Sequence, residues 1–294
     1  MQKDYCIADH IIRLCGDELV NLVSKIEGFQ PFLVSDSDQK PILQVTSDTQ
    51  LMLAPQMQET LYTFDSEDDA ELHSAFGTTA NGYLYRMDYP EGTLMQVWCE
   101  RGGQIAYIKG HFDIPSLSIR ALRFLLWIAF GIAVVRQDTV PVHTSTITYC
   151  GKNVLFLGES GTGKSTHTRL WREYIAGATL LNDDSPIVRI IDGVPYVYGS
   201  PWSGKTPCYK NERYPLAACV RLSQAPFNRI VKLNLIESFA AIHPSCPPDF
   251  AYDDYLYDGI SDTLDKLLQS VPFYHLQCLP DEAAAKLSCK TIFG

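Results

Sequence analysis

The sequence predicts an α/β (α+β) protein in which a domain with a mixed sheet follows a smaller, β-rich N-terminal domain. Two observations predict this arrangement. Short apolar segments that alternate with turns fill the first part of the chain, whereas the second part carries a strand, a glycine-rich loop and a helix in succession. A long apolar stretch separates the two patterns. We therefore divide the chain into residues 1–113 and residues 114–294.

The N-terminal part has the composition of short strands joined by tight turns. Residues 19–26 resemble a brief helix, and strand-like segments are residues 41–46, 82–87, 93–99 and 104–109. Asn-Gly, Pro-Glu-Gly and Arg-Gly-Gly turns separate the later strands. This pattern predicts an antiparallel sheet or meander.

The most apolar run of the chain predicts a buried helix at the start of the second domain. It covers residues 124–135, which are twelve residues between Arg123 and Arg136. A helix that crosses a bilayer needs about 20 apolar residues, so this run is too short to span one. We expect its side chains to pack inside the fold.

Composition excludes several classes of protein. The net charge is −10, and Lys and Arg form no basic run, which argues against a nucleic-acid or anionic-membrane surface. The amino terminus carries charges where a signal peptide needs apolar residues. Nine cysteines without a C-x-x-C pair argue against a disulfide framework or a zinc ribbon. We expect a cytoplasmic protein with neither nucleic acid nor membrane as partner; a homo-oligomer stays open.

The segment Gly158–Ser165 matches G-x-x-x-x-G-K-[ST], the pattern of a phosphate-binding P-loop. The apolar residues 154–157 predict a strand before the loop, and residues 165–176 can continue as a helix. Backbone N–H groups and the helix N-terminus would then face the phosphates of a nucleotide. The expected nucleotide-binding residues are Gly158, Glu159, Ser160, Gly161, Thr162, Gly163, Lys164, Ser165 and Thr166.

A second formal match, Gly199–Thr206, lacks the context of a P-loop. Pro201 and Trp202 occupy its variable positions, and no amphipathic helix follows before Pro215. We therefore expect a single nucleotide site. Lys205 has two interpretations. In the first, Lys205 supplies positive charge to a transferring phosphate or to an anionic acceptor, and Arg213 is a weaker candidate for this role. In the second, Lys205 is an exposed loop lysine.

Two adjacent acids follow the next predicted strand. Asp183 and Asp184 end the segment Gly-Ala-Thr-Leu-Leu-Asn-Asp-Asp, and alternation along a strand makes consecutive side chains diverge. One carboxylate can therefore face Mg²⁺ while the other faces an acceptor, although Asp-Asp is also common in turns. His143 begins the preceding strand. If that strand forms a hairpin with residues 154–157, His143 lies at the end where the P-loop begins.

These motifs resemble the catalytic domain of HPr kinase/phosphorylase and its relatives, which share a P-loop fold with phosphoenolpyruvate carboxykinase. HPr kinases have a histidine, a G-E-S-G-I-G-K-S-E loop and Ala-Asp-Asp, and the carboxykinases have His-x-Ser, S-G-T-G-K-T-T and Gly-Asp-Asp. This chain has His-Thr-Ser, G-E-S-G-T-G-K-S-T and Asn-Asp-Asp. The match covers roughly residues 139–191.

The resemblance implies a role for each matching residue. Lys164 would neutralise the transferring phosphate, and Ser165 and Asp184 would hold Mg²⁺. Asp183 would be the general base that accepts the proton of the acceptor hydroxyl, and His143 would contact phosphate or metal. The implied activity is an Mg-ATP-dependent kinase, with GTP as an alternative nucleotide, whose acceptor hydroxyl belongs to a protein, a peptide or a small molecule.

The chain also departs from both groups. Thr166 stands where HPr kinases have Glu, and their E-[IVL]-R-G-[LI]-G segment is absent. The arginine-bearing substrate stretches of the carboxykinases are also missing. The acceptor is therefore open. Two other functions also stay open. The chain could be a non-catalytic nucleotide-binding accessory protein that presents a partner through its N-terminal domain or, less favoured, a carboxykinase-like lyase.

Overall fold

Two mixed β-sheets organise the chain, each in its own unit. The computed structural model describes residues 1–35, 39–47, 55–65, 69, 71–110, 115–204 and 206–294, with only the backbone of residues 115 and 116. The first unit comprises Met1–Arg136 together with Asp249–Tyr257, and the second comprises Gln137–Pro248 together with Asp258–Gly294. The mixed α/β architecture that the sequence predicts is confirmed.

The first unit contains a sheet with the strand order β3-β1-β2-β4-β9-β8-β7-β6-β5. Its strands are β1 (Gln2–Ile7), β2 (His10–Cys15), β3 (Leu33–Val34), β4 (Leu43–Thr46), β5 (Glu59–Asp65), β6 (His73–Thr79), β7 (Gly82–Tyr89), β8 (Gly92–Glu100) and β9 (Ile105–Gly110). Its helices are α1 (Asp17–Val23), α2 (Pro115–Val134) and the 3₁₀ helices Glu27–Phe32 and Pro248–Tyr252, of which Pro248 is counted with the second unit.

The strands β5 to β9 form an antiparallel meander, as the sequence predicts. A purely antiparallel sheet is wrong, however, because β4 pairs in parallel with both β2 and β9. Parallel neighbours need a long crossover connection. Here α1 and a 3₁₀ helix lie between β2 and β4, and the meander lies between β4 and β9. Neither crossover has a local sequence pattern that would reveal which strands it joins.

The apolar helix α2 packs on the sheet of the first unit, where it contacts β8, β4 and β7. It is longer than the apolar run of the sequence. By length and composition Leu117–Val134 could cross a membrane, but 67% of this stretch is buried inside the structure, which accounts for its apolar composition. Because α2 packs on the first sheet, it belongs to the first unit. The division of the sequence at residue 114 would instead place this helix in the second unit.

The second unit contains a sheet with the strand order β10-β14-β15-β16-β12-β11-β13; β18 pairs with β16, and β17 pairs with β18. Its strands are β10 (Thr139–Pro141), β11 (Thr144–Tyr149), β12 (Lys152–Leu157), β13 (Thr179–Asp184), β14 (Ile187–Ile191), β15 (Val194–Tyr198), β16 (Arg213–Gln224), β17 (Arg229–Lys232) and β18 (Phe273–Cys278). Its α-helices are α3 (Lys164–Tyr174), α4 (Leu235–Ile242), α5 (Asp254–Ser270) and α6 (Glu282–Phe293), and a 3₁₀ helix covers His243–Ser245. The first turn of α5 is counted with the first unit.

One face of the second sheet packs against α3 and α6. Phe156 of β12 and Trp171 of α3 are fully buried in this core, together with Leu276 and Ala285. The strands β11 and β12 form the hairpin that the sequence predicts, with Cys150 and Gly151 in its turn at positive φ.

The directions of three strands bring two loops together. Both β12 and β13 pair with β11, and both pairings are antiparallel. The strands β12 and β13 therefore run in the same direction, and their C-terminal ends lie at the same end of the sheet. Ligands of α/β proteins bind at this end of the strands.

Candidate functional site

A glycine-rich loop connects β12 to α3, between the strand and the helix that the sequence predicts. Gly158, Gly161 and Gly163 have φ values of 147°, 80° and 104°, which favour glycine. Gly163 is the N-cap of α3, and no side chain of the described residues caps the helix. The first N–H groups of α3 are therefore available to an anion. A Cβ added at Gly161 or Gly163 would meet nothing within 4 Å, so the space around the loop is open.

The ammonium group of Lys164 lies on its own loop. Its Nζ donates hydrogen bonds to the carbonyl oxygens of Gly158, at 2.7 Å, and Glu159, at 3.1 Å. Partial burial lowers the pKa of Lys164, while the carboxylates of Asp184 and Asp183 oppose this effect. Since both present acceptors are loop carbonyls, a phosphate oxygen could replace them without leaving a buried group unpaired.

The hydroxyl of Ser165 joins the loop to the strand that carries the acids. Ser165 lies in the first turn of α3, and its Oγ donates a 2.9 Å hydrogen bond to Oδ1 of Asp183. Asp183 is 5% exposed, whereas Ser165 is exposed. The sequence predicts that the loop and the acid pair meet, and the structure places Ser165 and Asp183 in direct contact.

A β-bulge directs Asp183 towards α3. Ile147 of β11 lies opposite Leu180, but Thr146 lies opposite Asn182, so Leu181 is an extra residue in β13. In a regular strand, side chains three positions apart point to opposite faces. The bulge instead places both Leu180 and Asp183 on the face of α3, Leu180 in the core and Asp183 at Ser165.

The second carboxylate has a different partner. Oδ1 of Asp184 lies 3.2 Å from Nδ1 of His143, and both side chains are partly exposed. The consecutive carboxylates thus diverge, as the alternation of a strand predicts. Asp184 has a φ of 147°, a value that is uncommon for residues other than glycine. Such backbone conformations concentrate at functional sites.

His143 is held by its backbone between β10 and β11. Its N–H donates to the carbonyl of Ser245 at 2.6 Å, and the N–H of Val142 donates to Pro186 at 3.1 Å. Ser145 lies opposite Phe156 in the hairpin, so the start of β11 lies beside the end of β12. This is the position that the sequence predicts for His143, at the end where the glycine-rich loop begins.

Residues 199–204, part of the second formal P-loop match, lie against the backbone of the acid pair. The N–H of Gly204 donates to the carbonyl of Asp183 at 2.5 Å, and Ser203 forms an isolated antiparallel bridge with Asp184. A Cβ at Gly204 would lie 2.9 Å from the Asp183 oxygen, so only glycine fits this approach. The sequence does not reveal this contact.

Asn182 fixes the same segment from the strand side. The residue is fully buried, and its Nδ2 donates to the carbonyl of Trp202 at 2.9 Å. Its Oδ1 accepts from the backbone N–H of Ser185, also at 2.9 Å. The only signal in the sequence is a polar residue inside an apolar strand, which implies a buried hydrogen bond without naming its partner.

As the sequence predicts, no helix follows the second P-loop match in the described residues: residues 206–212 contain none, and β16 begins at Arg213. Lys205 lies outside the described residues. The guanidinium group of Arg213 lies over the rings of Tyr196 and Tyr198 and donates to the Tyr198 hydroxyl at 2.7 Å.

The oxygen donors of the site are of the type that Mg²⁺ binds. They are the Ser165 hydroxyl and the carboxylates of Asp183 and Asp184. In the described part of the chain, no three His, Cys, Asp or Glu side chains form a metal-binding group. The donor set therefore fits a Mg²⁺ ion that keeps phosphate and water ligands, and does not fit an all-protein metal cage.

A second histidine near the loop has a structural role. His167 is 3% exposed within α3, and its Nε2 accepts a 3.2 Å hydrogen bond from the indole N–H of Trp171. The hydroxyl of Ser288 lies 3.1 Å from the same nitrogen. Burial lowers the pKa of His167 to about 4, so the ring is neutral at neutral pH.

Comparison with known proteins finds similarity in structure and none in sequence. No protein-family model matches the chain, and no curated protein matches its sequence. The chain is similar to the solved structure of the HPr(Ser) kinase/phosphatase from Coxiella burnetii, with 13% sequence identity and a TM-score of 0.30. The similarity covers 52% of this chain and 87% of that chain. At this identity and TM-score it adds no argument about function, which we infer from the geometry of the site.

Proposed function

We propose that this chain is an Mg-ATP-dependent phosphotransferase that moves the γ-phosphate to a hydroxyl group of a protein, a peptide or a small molecule. The hydrogen bond from Ser165 to Asp183 carries the proposal. It connects a helix N-terminus suited to phosphate with a strand end that presents two carboxylates. Phosphoryl transfer needs both parts, because its catalysis consists of positioning and of stabilising negative charge.

The glycine-rich loop would bind the nucleotide phosphates. Its support is the open space at Gly161 and Gly163 and the uncapped first turn of α3. Lys164 would exchange its two loop carbonyls for phosphate oxygens and place its positive charge on the group that is transferred. ATP is the nucleotide that we propose, and GTP has the same phosphates.

The two carboxylates would have different tasks. Ser165 and Asp183 are the residues that we propose to hold Mg²⁺, which would offset the charge of the phosphate oxygens. Asp184 is the more exposed carboxylate, and we propose it as the base that accepts the proton of the acceptor hydroxyl. This assignment reverses the roles that the sequence resemblance implies.

His143 would act on Asp184. Its Nδ1 lies 3.2 Å from the carboxylate, so it can fix the orientation of the base or, when protonated, form an ion pair with it. Lys205 would add positive charge near the transferred phosphate. The support for this role is that the preceding residue, Gly204, contacts the backbone of Asp183.

We also propose a cytoplasmic location and a recognition role for the first unit. None of the nine cysteines forms a disulfide, which is consistent with a reducing compartment. The first unit would bind the acceptor or a protein partner.

The proposal is tested with ATP that carries a labelled γ-phosphate. Purified protein, Mg²⁺ and a cell extract or metabolite pool are incubated, and transfer of label to an acceptor is measured. Wild-type protein should transfer label, and an Asp184→Asn variant that still binds ATP should not. Nucleotide binding without transfer or hydrolysis across a broad acceptor set would instead indicate the accessory function.

A further inference from the structure

The side chain of Thr162 closes a tight turn inside the glycine-rich loop. The backbone N–H of Thr162 donates to the carbonyl of Glu159 at 3.2 Å, and the Thr162 hydroxyl donates to the same oxygen at 2.8 Å. The first of these bonds closes a β-turn from Glu159 to Thr162, whose third residue, Gly161, has a φ of 80° that suits glycine. The hydroxyl therefore adds a second bond across a turn that the backbone already closes.

The same side chain lies directly over the first glycine of the loop. A Cβ added at Gly158 would lie 2.5 Å from the Thr162 hydroxyl oxygen and 3.2 Å from Cβ of Thr162. The first distance is too short for a non-bonded contact. Only glycine at position 158 therefore lets the Thr162 hydroxyl reach the Glu159 carbonyl in this conformation.

Lys164 shares the carbonyl oxygen that Thr162 binds. Its Nζ lies 3.1 Å from the oxygen of Glu159 and 2.7 Å from that of Gly158. The Glu159 oxygen thus has three donors, although a carbonyl oxygen has only two lone pairs. If Lys164 turns to a phosphate, the two donors of Thr162 remain, and they match the two lone pairs. Without the Thr162 hydroxyl, the departure of the ammonium group would leave the Glu159 oxygen one donor short.

A second side chain holds the turn from the neighbouring strand. Gln224 is the last residue of β16, which pairs in parallel with β12, so it lies at the sheet end where the loop begins. Its Nε2 donates to the carbonyl of Gly161 at 3.2 Å. This bond stabilises the turn without contacting the Glu159 oxygen. Gln224 therefore offers a comparison in which the turn is loosened but the acceptor that Thr162 and Lys164 share is unchanged.

We infer that Thr162 is a positioning residue that frees Lys164 for phosphate. The P-loop pattern assigns to Thr162 only its place in the loop backbone. Its hydroxyl has the further task of satisfying the Glu159 carbonyl, so that the ammonium group can leave its own loop at little cost. The inference rests on the proposed function, because this task exists only if the loop binds a nucleotide.

Calorimetry with Mg-ATP on the full chain tests this role. Thr162→Val keeps the branched shape of the side chain and removes only the hydroxyl. It should weaken Mg-ATP binding about 3- to 10-fold, the effect of one hydrogen bond. Thr162→Ser keeps the hydroxyl and should restore most of the lost affinity. Gln224→Met loosens the same turn without changing the donors of the Glu159 oxygen, so it should weaken binding less than Thr162→Val.

The matched control is Thr291→Val in α6, which also removes a hydroxyl that donates to a backbone carbonyl at 2.8 Å, there the carbonyl of Leu287. It should leave Mg-ATP affinity unchanged, and a circular-dichroism melt checks that each variant is folded. Undiminished affinity in Thr162→Val, an equal loss in Thr162→Ser, or an equal loss in Gln224→Met overturns the inference while the proposed function stands. Absence of Mg-ATP binding by the wild-type chain overturns the proposed function, and the inference with it.

Discussion

Oγ of Ser165 and Oδ1 of Asp183 are 2.9 Å apart, although the two residues belong to a helix and a strand eighteen positions apart in the chain. Oδ1 of the neighbouring carboxylate, Asp184, lies instead 3.2 Å from Nδ1 of His143. One acid is therefore buried at the start of the helix, and the other is partly exposed beside a histidine. Adjacent carboxylates in different surroundings are suited to different tasks, as in enzymes that use two acids.

Substitution of each acid by asparagine separates the two tasks. Asp184→Asn should lower turnover about 10²- to 10⁴-fold, the usual contribution of a general base, with little change in nucleotide affinity. Asp183→Asn should weaken binding of Mg-ATP more than binding of ATP in the presence of EDTA, because it removes a proposed metal ligand. Turnover is measured by label transfer and affinity by calorimetry.

The control for both variants is Asp192→Asn, in the turn between β14 and β15, which should change neither quantity. The opposite pattern, a metal-dependent loss of affinity in Asp184→Asn and a loss of turnover alone in Asp183→Asn, would restore the roles implied by the sequence resemblance.

The bulge at Leu181 predicts the effect of shortening β13 by one residue. Deletion of Leu181 removes the extra residue and leaves Leu180 and Asp183 two positions apart, so regular alternation should keep Asp183 on the face of α3, at Ser165, and activity should be retained. Leu181→Ala keeps the bulge and removes only apolar contacts. It should cost about 2–5 kcal/mol of stability at a fully buried leucine but retain turnover once the protein is folded.

Both variants are measured by thermal unfolding and label transfer at a temperature where they are folded. A deletion variant that is folded but inactive would show that Asp183 needs the bulge itself, and not only its place on this face, to reach Ser165.

The sequence predicts the elements around the site but not the pairing details that aim its side chains. The strand before Gly158, the helix from Lys164 and the hairpin that carries His143 are local patterns, and all three are present. The bulge is different, because Leu180 and Leu181 are both apolar and either could face the core. Only pairing with Ile147 and Thr146 determines which one is extra.

Non-local contacts also explain what the sequence leaves out. Residues 199–204 are held at the acid pair by the hydrogen bonds of Asn182 and Gly204 and by the bridge between Ser203 and Asp184, and no spacing rule connects these residues. In the first unit, the parallel pairs of β4 and the contact of Asp249–Tyr257 with the meander depend on segments far apart in the chain. Local periodicity carries no information about such partners.

The close approach of Gly204 to Asp183 predicts that the segment after β15 controls the position of the acid pair. In Gly204→Ala the added Cβ would lie 2.9 Å from the Asp183 carbonyl and 3.1 Å from Cβ of Asp184, so the strand end must move. A displacement of this kind should lower turnover about 100-fold, because small misplacements of catalytic groups are costly.

The matched control is Gly193→Ala, in the β14–β15 turn, where an added Cβ meets nothing within 4 Å but φ is 78°. It should cost about 1 kcal/mol of stability through backbone strain and leave turnover unchanged. Equal turnover for both alanine variants would show that the close approach of Gly204 is not needed.

The buried carboxylate of Asp249 predicts that replacing this residue by asparagine stabilises the folded state. Its pKa is about 6 in the folded chain against an ordinary value of 3.8, so between these values the folded state binds more protons and stability falls as the pH rises. Above pH 6 the ionised carboxylate costs about 3 kcal/mol. Asp249→Asn should recover part of this cost at pH 7.5 and none at pH 3.5, measured by urea unfolding. An asparagine variant that is less stable at pH 7.5 would mean that the charge has a partner in the fold.

The buried ring of His167 predicts a pH dependence of folding stability that is opposite in sign to that of Asp249. Its pKa is about 4 in the folded chain and 6.5 ordinarily, so between these values the unfolded state binds more protons, and stability falls as the pH falls. The difference corresponds to about 3 kcal/mol lost between pH 7 and pH 4, with no further loss below. His167→Gln cannot titrate, so its free energy of unfolding should change less over this range, while the exposed His73→Gln control should keep the full change. Because protonated His167 cannot accept the hydrogen bond from Trp171, the acid-induced loss should coincide with a change in tryptophan fluorescence; an unchanged pH profile in His167→Gln would rule out this origin.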